Sequence, residues 1–301
     1  MMIISAPGKV SERITLLGRL ESCVYVVDGG NESVLIGGGN TYIVPDLLQQ
    51  IESFGMEERK IKRLIILHAH FDHCGTIPYL KKRWPWASVT ASSRAKELLG
   101  DAKVSQSIAT LNHREVEKMG LTDRMREIGF EYTQIDVEEV ARDGDVLSVG
   151  DLSLEVMEVP GHSSCSMALY MPFEKALFPS DAAGIRHQGY FLASGNSNYD
   201  LYQQNLERLA QYEVDLVLSE HYGASTEEDA HFFLPKSIET ARKTRLLLEE
   251  TYRRTKDVKK TADEITTLFS KEAPENFFSP ELLSLITGQM VKYFAKKMAS
   301  N

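Results

Sequence analysis

Between Leu67 and Gly75 the chain reads Leu-His-Ala-His-Phe-Asp-His-Cys-Gly, so His68, His70, Asp72 and His73 bring four metal-capable side chains into six residues. A lone histidine in a loop is usually just a polar filler. Three histidines and an aspartate at alternating and adjacent positions point instead to metal coordination. The apolar run Leu64-Ile65-Ile66-Leu67 before them reads as a buried strand, and Thr76 to Arg83 after them reads as the start of a helix. The fold must therefore deliver a strand, a ligand loop and a helix in succession. Rigid elements on both sides of a loop are what a preorganised site needs.

With 301 residues, 43% of them hydrophobic and 26% charged, the chain can bury a substantial core as one large domain or two small ones. The net charge of −9 disfavours a phosphate-backbone partner, so a small-molecule substrate is expected and no nucleic acid. Cys23, Cys74 and Cys165 are odd in number and widely spaced, which suits a reducing compartment better than a disulfide framework. The start, Met1 to Gly8, lacks a cationic segment followed by an apolar one, and no run approaches the ~18 apolar residues of a membrane span. A cytoplasmic protein with no membrane association is expected.

Residues 14 to 39 hold three strand-like runs, Ile14–Leu17, Cys23–Val27 and Ser33–Ile36, parted by turns at Asp28–Asn31 and Gly37–Gly39, which predicts an antiparallel meander. Leu47, Leu48, Ile51 and Phe54 predict a helix that Gly55 ends. A strand over 88–91 leads into a helix capped by Ser92 or Ser93. Residues 101–129 read as a helical insertion with His113 on its surface, and 146–149 with 152–159 as a hairpin. Beyond these, His162, Asp181 and His221 each stand just past a strand-like run, as His68 does. Ligands delivered at strand ends on one sheet edge can converge although they are far apart in sequence.

His68-x-His70-x-Asp72-His73 followed by His162, Asp181 and His221 resembles the metallo-β-lactamase superfamily over about residues 14 to 223. The resemblance implies an α/β (α+β) fold, an αββα sandwich, with a dinuclear site at the edge of its two sheets. It implies that His68, His70 and His162 bind one metal, that Asp72, His73 and His221 bind the other, and that Asp181 bridges them. More narrowly, the run His70 to Gly75 with Pro78-Tyr79-Leu80, the Gly37–Gly39 stretch and the helical tail resemble a thioesterase branch that acts on 2-aminobenzoylacetyl-coenzyme A. Two departures stand out. The family often has Ile-Asp-x-Gly after its third strand, where Gly37 follows Ile36 here, and the branch has an acidic residue where this chain has Ile185.

Two divalent metals, zinc, iron or manganese by the ligand types, can share a bridging water, lower its pKa toward ~7 and polarise an electrophilic oxygen. Asp72 and Asp181 are the catalytic candidates, able to orient or accept the proton. A serine or cysteine nucleophile is then unnecessary, and Cys74 and Cys165 read as packing groups. The expected function is hydrolysis of a small acyl substrate, a thioester first, with lactonase, phosphodiesterase or a signalling regulator with a protein partner as alternatives. An iron oxygen or nitric-oxide reductase is disfavoured, because that branch has glutamate where His70 stands and carries a flavodoxin domain.

Residues 1–230 are expected to form the metallo-β-lactamase-like domain and 231–301 a helical extension that covers the active site. Within the tail, Lys236–Arg253 and Pro280–Met298 read as amphipathic helices, and Thr261 with Glu264 as a capping box. Such faces serve either to roof a site, with Phe277, Phe278 and the Leu282 to Met290 face as candidate pocket lining, or to form a homodimer contact. His187 and His231 fall outside the ligand pattern.

Overall fold

The computed structural model describes residues 2–275 and 277–299; Met1, part of the stretch read for a leader, lies outside them. The chain divides into two compact units. The first comprises residues 1–158, 165–180 and 214–230, and the second 159–164, 181–213 and 231–301.

The first unit holds two seven-stranded sheets. One runs, in spatial order, Gly8–Lys9, Ile14–Arg19, Ser22–Asp28, Ser33–Ile36, Ile61–Ile65, Ser88–Ser92 and Glu139–Ala141. Ile14–Arg19, Ser22–Asp28 and Ser33–Ile36 form the expected antiparallel meander, Gly8–Lys9 adds a short antiparallel strand at its edge, and from Ser33–Ile36 onward the neighbours are parallel. Parallel neighbours need crossovers. The helices Val44–Ser53, Ile77–Arg83, Ser93–Gly100, Ala102–Lys118 and Thr122–Glu127 fall in these connections. Ser92 caps its helix by accepting from the Ala95 N–H, as expected.

The other sheet runs Met2–Ile4, Ala224–Thr226, Leu216–Leu218, Ala176–Phe178, Met167–Met171, Leu152–Glu158 and Val146–Val149, and the last two form the predicted hairpin. The strand Ser22–Asp28 shows why this stacks. Cys23, Tyr25 and Val27 pack in one core with Leu154, Val156, Leu169 and Phe178 of the second sheet, while Val24 and Val26 pack with Leu47 and Leu80 of the helices and with Trp84, which follows Ile77–Arg83. A strand buried on both faces reads as one apolar run. Each such buried aliphatic side chain contributes ~1.5–3 kcal/mol.

The second unit holds a hairpin, Ile185–His187 with Tyr190–Leu192, and the helices Tyr199–Leu209, Val258–Glu272, Pro280–Ala299 and nearly all of Glu228–Thr255. The hairpin turn has positive φ at Gln188 (47°) and Gly189 (82°), the pattern of a type I′ turn. Two tail expectations need correcting. Thr261 does not cap a helix; Asp257 does, accepting from the Lys260 N–H, while the Thr261 hydroxyl donates to the Asp257 carbonyl inside the first turn. The buried face of the last helix is Leu283, Ile286, Thr287, Met290, Val291 and Phe294, which leaves Leu285 exposed. Among the described residues no helix is long and apolar enough to cross a membrane.

Candidate metal centre

In the first unit the ligand loop is held on three sides. The N–H groups of Gly75 and Thr76 donate to the carbonyls of Gly39 and Gly38 at 2.8 and 2.9 Å, and the Thr41 hydroxyl donates to the Gly75 carbonyl at 2.9 Å. This approach leaves no room for side chains. A Cβ on Gly38 would lie 2.6 Å from the His73 carbonyl oxygen and 2.7 Å from the Cys74 Cα. Asn112, buried in the middle of the helix Ala102–Lys118, closes the third side: its Oδ1 accepts from the Thr41 N–H at 3.0 Å and its Nδ2 donates to the Phe71 carbonyl at 2.8 Å. The 101–129 insertion thus anchors the ligand loop, while His113 is exposed beside Glu117, as expected.

His68, His73 and His221 each have one ring nitrogen beside a polar partner and the other beside a neighbouring histidine of the cluster. His221 Nδ1 lies 2.7 Å from the Glu21 carbonyl, which only accepts, so Nδ1 carries the proton and Nε2 a lone pair. His73 Nδ1 lies 2.9 Å from Glu220 Oε2, an ion-pair distance with the ring N–H off the line to the oxygen. Its Nε2 sits 3.1 Å from His221 Nε2, and Asp72 Oδ2 is 3.6 and 3.7 Å from those two nitrogens. His68 Nδ1 is 3.0 Å from the Ser180 hydroxyl, which itself donates to Glu220 Oε2, and His68 Nε2 is 3.1 Å from His70 Nδ1.

This donor set fits a divalent cation. Two imidazole lone pairs 3.1 Å apart beside a carboxylate, with His73 and His221 almost wholly buried, repel one another unless a positive charge sits between them. Asp72, His73 and His221 together satisfy the spacing of a three-ligand site. Neutral imidazole with carboxylate suits zinc, iron or manganese.

The second unit presents the same arrangement on a smaller scale. His162 Nδ1 faces the Ser194 carbonyl at 2.9 Å and its hydroxyl at 3.1 Å, and His162 Nε2 lies 3.5 Å from Asp181 Oδ2. Gly161 allows this, because a Cβ there would meet the Tyr202 backbone nitrogen at 2.4 Å. Of the seven residues singled out from the sequence, five gather in the first unit and two pair in the second.

The thiols are not nucleophiles. Burial pushes Cys74 far up, and Cys23 up to about 12, which keeps both protonated. Cys74 Sγ donates to the His70 carbonyl, and Cys165 Sγ accepts from the Ala69 N–H, so each packs and steadies the ligand loop. His187 stacks on Phe277, with centroids 6.4 Å apart, and burial lowers its pKa. Glu220 and Ser180 are among the residues that escaped the sequence reading. The one signal for Glu220 was its place beside His221, and for Ser180 its place beside Asp181.

A model of the metallo-β-lactamase superfamily matches residues 17–221. An acyl-coenzyme A thioesterase of Homo sapiens is 27% identical over 165 residues, 52% of this chain and 57% of that protein. A hydroxyacylglutathione hydrolase of Rhodopseudomonas palustris is 27% identical over 137 residues, 46% of this chain and 40% of that protein. The chain spans about half the length of the curated relatives it matches. Among solved structures, a metallo-β-lactamase family protein from Thermus thermophilus superposes with a TM-score of 0.68 at 15% identity, covering 97% of this chain and 95% of that one. An archaeal superfamily protein from Sulfolobus tokodaii gives 0.58 at 18% identity, covering 97% and 100%. Two stacked sheets, a strand-loop-helix histidine cluster and a family match over most of the chain agree: this protein belongs to the metallo-β-lactamase superfamily and has its αββα fold.

Proposed function

We propose that the chain is a dinuclear metal-dependent hydrolase of a small acyl substrate, a thioester foremost. The observation that carries this reading is the inward-facing set of ring nitrogens and carboxylate at His68, His70, Asp72, His73 and His221, with the His162–Asp181 pair prepared in the same way. His68, His70 and His162 would hold one metal, Asp72, His73 and His221 the other, with Asp181 shared. When bound, the pair supplies Lewis acidity for the carbonyl oxygen and hydroxide at neutral pH.

The chain's residues do the rest. Asp72 and Asp181 orient the attacking water and take its proton. The water oxygen bonds to the carbonyl carbon, the C–S bond breaks, and the proton passes to the departing thiolate. Support for an acyl or aryl thioester is twofold. The relatives include proteins named as acyl-coenzyme A thioesterases. The second unit also carries an aromatic cluster of His187, Tyr190, Phe277 and Phe278, with Phe277 edge-on to Tyr190 at 5.2 Å. Three buried, widely spaced cysteines suit the cytoplasm.

The test is turnover of a panel of aryl-acyl and alkyl-acyl thioesters, lactones and phosphodiesters by metal-reconstituted protein, together with its metal content. His70→Ala and Asp181→Ala should each lower thioester turnover by roughly 10³-fold, the scale of losing a preorganised electrostatic group, and reduce bound metal. Unchanged turnover by metal-depleted protein would sink the mechanism, and turnover confined to lactones or phosphodiesters would sink the substrate class.

A further inference from the structure

Glu220 is 2% exposed, and its carboxylate is the point where two ligand histidines meet. Oε2 receives the Ser180 hydroxyl proton and faces His73 Nδ1 at 2.9 Å. Because the Ser180 hydroxyl spends its one proton on Glu220, its oxygen can only accept from His68 Nδ1, 3.0 Å away. His68 therefore carries its proton on Nδ1 and turns the Nε2 lone pair toward His70. Oε1 makes no hydrogen bond among the described residues. It sits 2.6 Å from where a Cβ on Gly37 would be, so the carboxylate fills a space that only glycine leaves, at a φ of +86°. The main chain is fixed too: the Glu220 carbonyl accepts from the Cys23 N–H at 2.8 Å. Ser180 adopts φ +50°, a left-handed conformation uncommon for serine, which aims its hydroxyl between the two partners.

We propose that Glu220 is a positioning residue for both metals at once, acting on His73 by charge at close range and on His68 through the Ser180 hydrogen bond, so that one buried negative charge favours a proton on Nδ1 and raises the basicity of one ligand in each coordination set. This rests on the dinuclear reading above. An outer carboxylate that orients ligating imidazoles typically changes metal affinity by 10–100-fold. Here the effect spans two ions because the two chains of contact end on the same oxygen.

The experiment is a Zn²⁺ titration in competition with a chromophoric chelator on the full-length metal-free protein, with His70→Ala used to assign the step that involves His68. Glu220→Gln keeps the volume and removes the charge; both binding steps should weaken about 10-fold or more. Ser180→Gly removes the hydroxyl where the left-handed backbone suits glycine, so the fold is retained. It should weaken only the His68 step, with circular dichroism unchanged. Wild-type affinities in Glu220→Gln, or equal weakening of both steps in Ser180→Gly, overturn the proposal. So does loss of a third ion per chain in Glu220→Gln, which would make Glu220 a ligand in its own right alongside His68 and His73. A wild type that binds no metal overturns the hydrolase reading and this one together, whereas two bound metals with an unaffected Glu220→Gln overturn this one alone.

Discussion

The two units hold their candidate ligands in different ways. In the first, His68, His73 and His221 are buried, and each has one ring nitrogen occupied by Ser180, Glu220 or the Glu21 carbonyl. Their loop is pressed against glycine backbone and pinned by Asn112. In the second, His162 faces the Ser194 carbonyl and hydroxyl, and the helices around it carry exposed or half-exposed ion pairs such as Arg245–Asp200, Arg254–Glu264 and Lys259–Asp263. Exposed pairs of that kind are screened by water and salt and add little. Backbone fit thus sets the ligand loop in the first unit and, at Gly161 against Tyr202, the place of His162 in the second, where the helices are also joined by contacts that sequence change can trade.

Gly38→Ala tests that contrast most severely. The new Cβ would meet backbone atoms of His73 and Cys74, with no side chain to swing aside, so we expect a stability loss of about 2 kcal/mol or more and weakened metal binding. A thermal melt matching wild type, with and without metal, would show that the first unit has slack after all. In the second unit, Asp257→Ala removes a helix cap and should cost about 1 kcal/mol, seen as faster amide exchange over 258–272 with metal affinity untouched. If Thr261→Ala proves the more damaging of the two, the capping box read from the sequence is restored.

The smallest effect concerns acid. Burial works upward on the Asp200 carboxyl, but hydrogen bonds from Lys297, Tyr293 and Arg245 outweigh it and hold the pKa at about 2, against an ordinary 3.8. A carboxylate with a depressed folded pKa stabilises above its ordinary value, and that contribution is lost as pH falls from about 4 toward 2. Partial exposure screens it to below ~1 kcal/mol. The stability difference between wild type and Asp200→Asn should therefore shrink over that window. A difference constant from pH 5 to 2 would assign the stabilisation to packing instead.

Much of this was legible in the sequence because the period of the apolar residues and the identity of the ligands are local properties. The meander from Ile14, the hairpin at 146–158 and the loop at His68 to His73 needed no tertiary information. What escaped depends on approach between distant segments. Glu220 was in plain view, yet its role follows from meeting Gly37 and His73. Asn112 looked like one more polar residue in a polar helix until its amide was found against Thr41 and Phe71. Leu285 sat at helical spacing with Leu282 and Ile286, but spacing defines a stripe without saying which side of it packs. The hairpin at Ile185 was hidden by its three-residue strands and by Gln188, which adopts positive φ without being glycine.

The bonds from Cys23 N–H to the Glu220 carbonyl and from the Tyr25 hydroxyl to the Ser219 carbonyl also bear on the order in which the molecule is made. The histidine loop leaves the ribosome long before residues 216–221, and closing so long a loop is a late event in folding. Until then His73 lacks Glu220, and Asp72 lacks His221. Metal binding by the full ligand set therefore waits for residues 216–221, and by mass action the ion stabilises molecules that have closed this loop over those that have not. A motif that looks like the nucleus of the fold is, in time, one of its last parts to become functional.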